Sequence, residues 1–110
     1  MTTLFYGSAR PALIPKGARA CLYWDGRYKA SAAQAARLSA VRWITVLGGA
    51  AAAAHTGAID YEPGNAAFEG EALPQWAEAR RAMDCRGRVY TDLANLPRAY
   101  RAVGASPNVV

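Results

Sequence analysis

The segment Gly57-Ala-Ile-Asp-Tyr-Glu-Pro-Gly64 decides the fold class of this 110-residue chain. Small and apolar residues lead into Asp60-Tyr61-Glu62 and Pro63-Gly64 ends the run, a pattern typical of a short buried strand with acids at its carboxyl end. Side chains alternate along a strand, so Asp60 and Glu62 share a face. Two carboxyls about 6–7 Å apart along a strand suit acid–base work on a glycosidic bond. Acids also end many strands in ordinary polar loops, so both interpretations stay open at this point.

Apolar runs and alanine-rich or amphipathic stretches alternate on both sides of this segment. Further strands are predicted at Ala20–Trp24, Val41–Leu47 and Arg88–Tyr90. Helices are predicted at 31–39, 74–83 and 96–103, and Ala50–Ala54 forms either a helical turn or a compact loop. Strands alternating with helices imply a parallel sheet with right-handed crossovers. We therefore expect an α/β domain of parallel βα repeats, either half of a TIM-like barrel or a small open parallel sheet.

Length and composition limit the class of protein. A chain of 110 residues is one domain and is too short for a complete (βα)8 barrel. We expect an irregular arm over 1–19 with an extended piece at 4–6, a βα domain over 20–104 and a loose tail over 105–110. Hydrophobic residues make up 53% and charged residues 19%, which excludes a disordered chain. A net charge of +5 favours weak attraction to nucleic acid, anionic lipid or an anionic wall polymer, without choosing among them.

Several classes of site lack their sequence signals. Cys21 and Cys85 are the only cysteines and His55 is the only histidine, so no metal site and no cofactor are predicted. We expect both cysteines to be free thiols, with a disulfide as the alternative. No signal peptide is visible, and Ala50–Ala54 is too short to span a bilayer, so no membrane partner is expected.

The candidate site lies where the predicted strands end. Ligands of open parallel sheets bind beyond the carboxyl ends of the strands. Three of the four predicted strand ends carry acids beside aromatic residues, and sugars stack on aromatic rings and hydrogen-bond to carboxylates. The predicted site comprises the acids Asp25, Asp60 and Glu62 as catalytic candidates and Trp24, Tyr90 and Asp92 as substrate-binding candidates.

Five segments resemble glycoside-hydrolase-like barrels, above all the lysozyme-type glycoside hydrolase family 25 and related domains of actinobacteria and their phages. They are Tyr23-Trp-Asp25, Arg42-Trp-Ile-Thr-Val46, Ile59-Asp-Tyr-Glu-Pro-Gly-Asn65, Trp76-Ala-Glu-Ala-Arg-Arg81 and Arg88-Val-Tyr-Thr-Asp92. The resemblance covers residues 20–104 and is sharpest at the Asp-x-Glu after the third predicted strand. It implies that Glu62 is the general acid and that Asp60 orients a substrate N-acetyl group or stabilises the transition state. It also implies that Asp25 is the acid of the first strand and that Tyr90 contacts sugar.

Members of that family continue into further strands, whereas this chain holds about half a barrel. A half-barrel has two open edges and an uncovered face, so we expect a second copy, or another virion or phage protein, to cover them. Three hypotheses follow. The first is a non-catalytic, phage-type structural or interaction module that contacts carbohydrate, located in the host cytoplasm or the virion. The second is a peptidoglycan-directed, muramidase-like glycosidase that is active as an oligomer, and the third, which ranks well behind, is a nucleic-acid-binding module.

Overall fold

The computed structural model describes residues 6–7 and 10–104. Its strands are β1 (Tyr6–Gly7), β2 (Arg19–Tyr23), β3 (Ala40–Thr45), β4 (Ala58–Asp60) and β5 (Arg88–Tyr90). Its α-helices are α1 (Ala32–Ala36), α2 (Ala50–Ala53), α3 (Ala72–Ala82) and α4 (Leu96–Ala102). Short 3-10 turns lie at Pro11–Leu13, Ala66–Phe68 and Leu93–Asn95.

The five strands form one sheet in the order β1-β2-β3-β4-β5, and every neighbouring pair is parallel. This is the sequential order of a (βα)8 barrel. Each connection leads from one strand to the next strand in the sheet, always in the same direction. Because parallel crossovers are right-handed, all of these connections lie on one face of the sheet. The prediction of an α/β fold built from parallel βα units is confirmed.

The helical face of the sheet holds the main core. Trp76 of α3 is fully buried there and packs in a cluster with Ile59, Leu73, Phe68 and residues of α2 and α4. Its indole N–H donates to Thr56 Oγ1 at 2.9 Å, and the Thr56 hydroxyl donates to the Ala52 carbonyl at 2.7 Å. The polar groups that the core buries at this point are therefore paired.

The opposite face of the sheet carries a separate cluster of Cys21, Ile44 and Ala58, against which Tyr23 and Tyr90 pack. These residues share a face because Tyr23 lies opposite Ile44, and Ile44 lies opposite Ala58. None of the helices within 10–104 contributes to this cluster. The two tyrosines thus bury the small residues of the face opposite the helices, and Ala58 has no exposed surface.

Local signals in the sequence explain where the elements begin and end. Ser31 caps α1 in a reciprocal capping box, since its hydroxyl accepts from Gln34 N at 3.1 Å and its own N–H donates to Gln34 Oε1 at 2.8 Å. The alanine run Ala50–Ala53 is a helical turn, which settles the alternative left open above. Both cysteines are free. No helix among the described residues is long and apolar enough to cross a membrane.

The predicted arm is not wholly irregular. Tyr6–Gly7 pairs with β2 and adds an edge strand, next to the extended piece expected at 4–6. Residues 4 and 5 and the predicted tail 105–110 lie outside the described residues.

Candidate functional site

A cleft of about 350 Å³ opens at the carboxyl ends of β2, β3 and β4. We call it the acid cleft. Its lining includes Tyr23, Asp25, Arg27, Tyr28, Asp60 and Glu62. The structure therefore brings the three predicted acids to one place, as expected for the carboxyl edge of a parallel sheet.

Asp60 and Glu62 form the centre of the cleft. Both carboxyls line the cleft, and they interact electrostatically with each other. Burial of Asp60, the charge of Glu62 and the hydrogen bond between the two groups raise the pKa of Asp60 from 3.8 to about 6. Asp60 Oδ1 is buried and has no hydrogen-bond partner within the described part of the chain, which further disfavours the charged form. Asp60 thus retains its proton up to a pH near 6.

Tyr23 stands beside this pair on the same face of the sheet. Burial raises the pKa of its hydroxyl, and the negative charges of Asp60 and Glu62 act in the same direction. The hydroxyl therefore stays protonated and is available as a hydrogen-bond donor. Hydrogen bonding from Asn65 and Tyr23 favours the charged form of Asp60. It therefore lowers the pKa of Asp60, opposite to the effect of burial.

Asp25 reaches the cleft but its oxygens are engaged by β3 and the loop after it. Oδ2 accepts from the Thr45 hydroxyl at 2.5 Å, and Oδ1 accepts from the N–H groups of Val46 at 2.8 Å and Leu47 at 3.3 Å. Gly26, with φ +82°, lets the chain turn against Val46, where a Cβ would collide with the valine methyl. Asp25 thus ties the end of β2 to the end of β3.

Trp24 is placed away from the acid cleft. Its ring meets Trp43 edge-on at 5.5 Å between centroids and stacks on His55 at 4.7 Å. Trp43 lies opposite Leu22, on the helical side of the sheet. Trp24 is next to Asp25 in the chain but points to the other side, because side chains alternate across the strand.

The remaining predicted site residues, Tyr90 and Asp92, have structural contacts. Tyr90 pairs with Asp60 in the sheet register, and its hydroxyl lies 4.0 Å from Cys21 Sγ, so its ring extends over the open face and away from the cleft. Asp92 caps the following 3-10 turn, where Oδ1 accepts from Asn95 N at 2.9 Å and from Asn95 Nδ2 at 2.7 Å. Neither residue lines the acid cleft.

Sequence reasoning missed Tyr23, Arg27 and Tyr28. Tyr23 is the last residue of β2. Because side chains alternate along a strand, Tyr23 lies on the same face of the sheet as Cys21, and this alternation is the signal that predicts its position. Arg27 and Tyr28 lie in the loop after β2, with the guanidinium 5.5 Å from the centre of the Tyr28 ring. Their contribution depends on how that loop folds over the cleft, for which the sequence holds no periodic pattern.

Comparison with known proteins gives no match: no family model, no curated protein and no solved structure resembles this chain at a significant level. The fold and the cleft are therefore the observations on which the function must be argued. Within the described residues no group of three or more His, Cys, Asp or Glu is arranged to hold a metal ion. The cleft offers two neighbouring carboxyls, one of which has a raised pKa, together with phenol hydroxyls and rings and one guanidinium.

Proposed function

We propose that this chain is a phage-type interaction module that binds glycan in the acid cleft without cleaving it. The observation that carries the proposal is the Asp60 carboxyl, whose pKa is raised to about 6 and which lies beside Glu62 and Tyr23 in an open cleft. A protonated carboxyl donates a hydrogen bond and a carboxylate accepts hydrogen bonds, as the hydroxyl and acetamido groups of a sugar require. The Tyr28 ring, about half exposed, adds an aromatic surface at the same opening.

The arrangement of the three acids favours glycan binding over hydrolysis. Glycosidases that work by two carboxyls hold them about 5–5.5 Å apart when they retain configuration and about 6.5–9.5 Å apart when they invert it. At either separation the two carboxyls are too far apart to hydrogen-bond to each other, whereas hydrogen bonding with Glu62 contributes to the raised pKa of Asp60. Asp25, the third acid, is held by three hydrogen bonds from the β3 end.

Titration with soluble N-acetylated wall glycan, followed by calorimetry, tests this function. We expect Glu62→Gln to weaken binding at least tenfold, because an amide N–H2 group replaces one of the carboxylate oxygens that accept hydrogen bonds from the sugar. The matched control is Glu71→Gln, an exposed acid outside the cleft, which should bind like the unaltered chain. Equal binding by both variants, or no binding by the unaltered chain, would overturn the proposal.

A muramidase-like activity is the second candidate, and one observation favours it. Two neighbouring carboxyls fit a substrate-assisted route, in which the acetamido oxygen of the sugar attacks and no enzyme carboxylate serves as nucleophile. The family resemblance assigns the general acid to Glu62, whereas the raised pKa of Asp60 favours Asp60 as the proton donor. Release of reducing sugar from peptidoglycan, abolished in Asp60→Asn, would establish this route, and binding without release would exclude it.

A further inference from the structure

The face of the sheet opposite the helices carries arginines in its amino half. Arg42 lies opposite Cys21 and Arg88 lies opposite Ala58, so both arginines share the face of the Cys21 cluster. Arg19 joins them because it precedes Cys21 by two residues on β2. Three strands thus each contribute one guanidinium to the same face. We call the surface formed by Arg19, Arg42 and Arg88 the arginine face.

The charge of the arginine face is not balanced by nearby acids. Arg19 and Arg88 are exposed, and neither side chain forms an ion pair within the described part of the chain. Among the residues of the five strands the only acid is Asp60, which lies at the carboxyl end of β4. The loops before β2 and β5 add two exposed basic residues and one exposed acid, which are Lys16, Arg86 and Asp84. The amino end of the sheet is therefore positive, whereas the acid cleft at the carboxyl end holds three acids and one arginine.

Two tyrosines lie on the same face as the arginines. Tyr23 follows Arg19 by four residues on β2, and Tyr90 follows Arg88 by two residues on β5. Both rings pack on the small residues of the Cys21 cluster and remain partly exposed. Aromatic rings beside cationic groups are the combination that binds single-stranded nucleic acid, because the rings stack on bases and the cations pair with phosphates.

The side-chain chemistry favours this ligand over other anions. The strands carry arginine and no lysine, and the planar guanidinium matches two oxygens of one phosphate. An acidic peptide would satisfy the guanidinium groups but would supply no bases for the tyrosine rings. A duplex would present phosphates while keeping its bases stacked and paired. A single strand uses both kinds of side chain.

We propose that the arginine face binds single-stranded nucleic acid, with phosphates on Arg19 and Arg88 and a base stacked on Tyr90. None of these three residues lines the acid cleft, so this site is independent of the proposed glycan function. The acids of the cleft repel phosphate and so confine the strand to the amino half of the sheet. The nucleic-acid hypothesis, which ranks well behind on the sequence alone, thereby gains a specific surface.

Fluorescence anisotropy with a labelled oligothymidylate tests the role of the arginines. We expect Arg88→Gln and Arg19→Gln each to weaken binding about tenfold and to reduce the slope of log affinity against log salt by about 0.7. Arg101→Gln is the matched control, because it removes the same charge from an exposed arginine of α4. It should bind like the unaltered chain. No binding by the unaltered chain at low salt, or equal weakening in the control, would overturn the proposal.

Tyr90 variants separate stacking from charge. Tyr90→Phe keeps the ring and should bind like the unaltered chain, whereas Tyr90→Leu still covers the Cys21 cluster but should bind about tenfold more weakly. Circular dichroism checks that each variant is folded. Unchanged binding by Tyr90→Leu, together with displacement of the probe by polyglutamate, would indicate a surface for acidic peptides and would refute the proposal.

Titration of the same variants with soluble glycan separates this surface from the acid cleft. Arg88→Gln should bind glycan as the unaltered chain does, and Glu62→Gln should retain the oligothymidylate. Loss of both ligands in Arg88→Gln would mean one shared site and would overturn the separate surface. A chain that binds oligothymidylate but no glycan would refute the proposed function and leave the arginine face supported.

Discussion

Asp25 Oδ2 accepts a 2.5 Å hydrogen bond from the Thr45 hydroxyl, and this contact joins the carboxyl ends of β2 and β3. Thr45 is fully buried, and its oxygen in turn accepts from Gly48 N at 2.9 Å. The network therefore runs from the β2 end through β3 into the loop before α2. We infer that Asp25 shapes one wall of the acid cleft as a positioning residue.

Removal of this carboxylate should therefore cost stability. We expect Asp25→Ala to lower the free energy of unfolding by about 1.5–3 kcal/mol, since the buried Thr45 hydroxyl and the half-buried Val46 N–H lose their acceptor. Glu62→Gln should leave stability nearly unchanged, because Glu62 is exposed. Urea unfolding of both variants makes the comparison, and an Asp25→Ala protein as stable as the unaltered chain would contradict the positioning role.

The raised pKa of Asp60 predicts a pH dependence of stability. Below pH 3.8 the carboxyl is protonated in both the folded and the unfolded chain and has no differential effect. As the pH rises from 3.8 to about 6, the unfolded chain loses the proton first, so the contribution of Asp60 to stability falls across this window.

Asp60→Asn removes the titrating group and should flatten that dependence. We expect the variant to gain stability relative to the unaltered chain above pH 6 and to differ little below pH 4. Unfolding followed by fluorescence at several pH values measures the difference. A constant difference across the window would show that Asp60 titrates normally.

Gly87 is required by the position of the Trp76 ring. A Cβ at residue 87 would lie 2.6 Å from Trp76 Cη2, and the indole is fully buried and cannot retreat. We expect Gly87→Ala to destabilise the fold by about 1–3 kcal/mol through overpacking. Gly57→Ala is the matched control, since a Cβ there meets nothing within 4 Å. Similar melting temperatures for the two variants would contradict this explanation.

Thr56 is predicted to matter through its hydroxyl. Thr56→Val keeps the shape of the side chain but leaves the Trp76 indole N–H buried without its acceptor. This should cost about 1–3 kcal/mol, whereas Thr56→Ser retains the hydroxyl and should lose less. Thermal unfolding of the two variants measures the loss of stability in each. Equal losses would assign the effect to packing alone.

The alternation of strands and helices could be predicted from the sequence because it depends on local residue patterns. The strand predicted at Arg88–Tyr90 has the same bounds in the structure, and Ser31 caps α1 as predicted. Apolar runs that end in turns, and caps that precede helices, each depend on a few neighbouring residues. The bounds of β2 and β3 moved by only one or two residues.

The site was predicted less completely because it depends on side-chain direction after each strand ends. Asp60 and Glu62 converge as the alternation requires, whereas Trp24 turns to the opposite side and stacks on His55. Asp92 satisfies the N–H of Asn95, a local capping bond that competes with any role in binding. Strand ends mark where a site lies, but the hydrogen bonds of each loop decide which side chains face it.

The proposed function depends on a protonated Asp60 beside Glu62 in a cleft that binds glycan. Carbon-detected NMR titration of the Asp60 side-chain carboxyl, with and without soluble N-acetylated wall glycan, is the decisive experiment. We expect the Asp60 carboxyl to titrate near pH 6 and its midpoint to move when glycan is added. An Asp60 that titrates at its ordinary value of 3.8 and does not respond to glycan would refute the proposal.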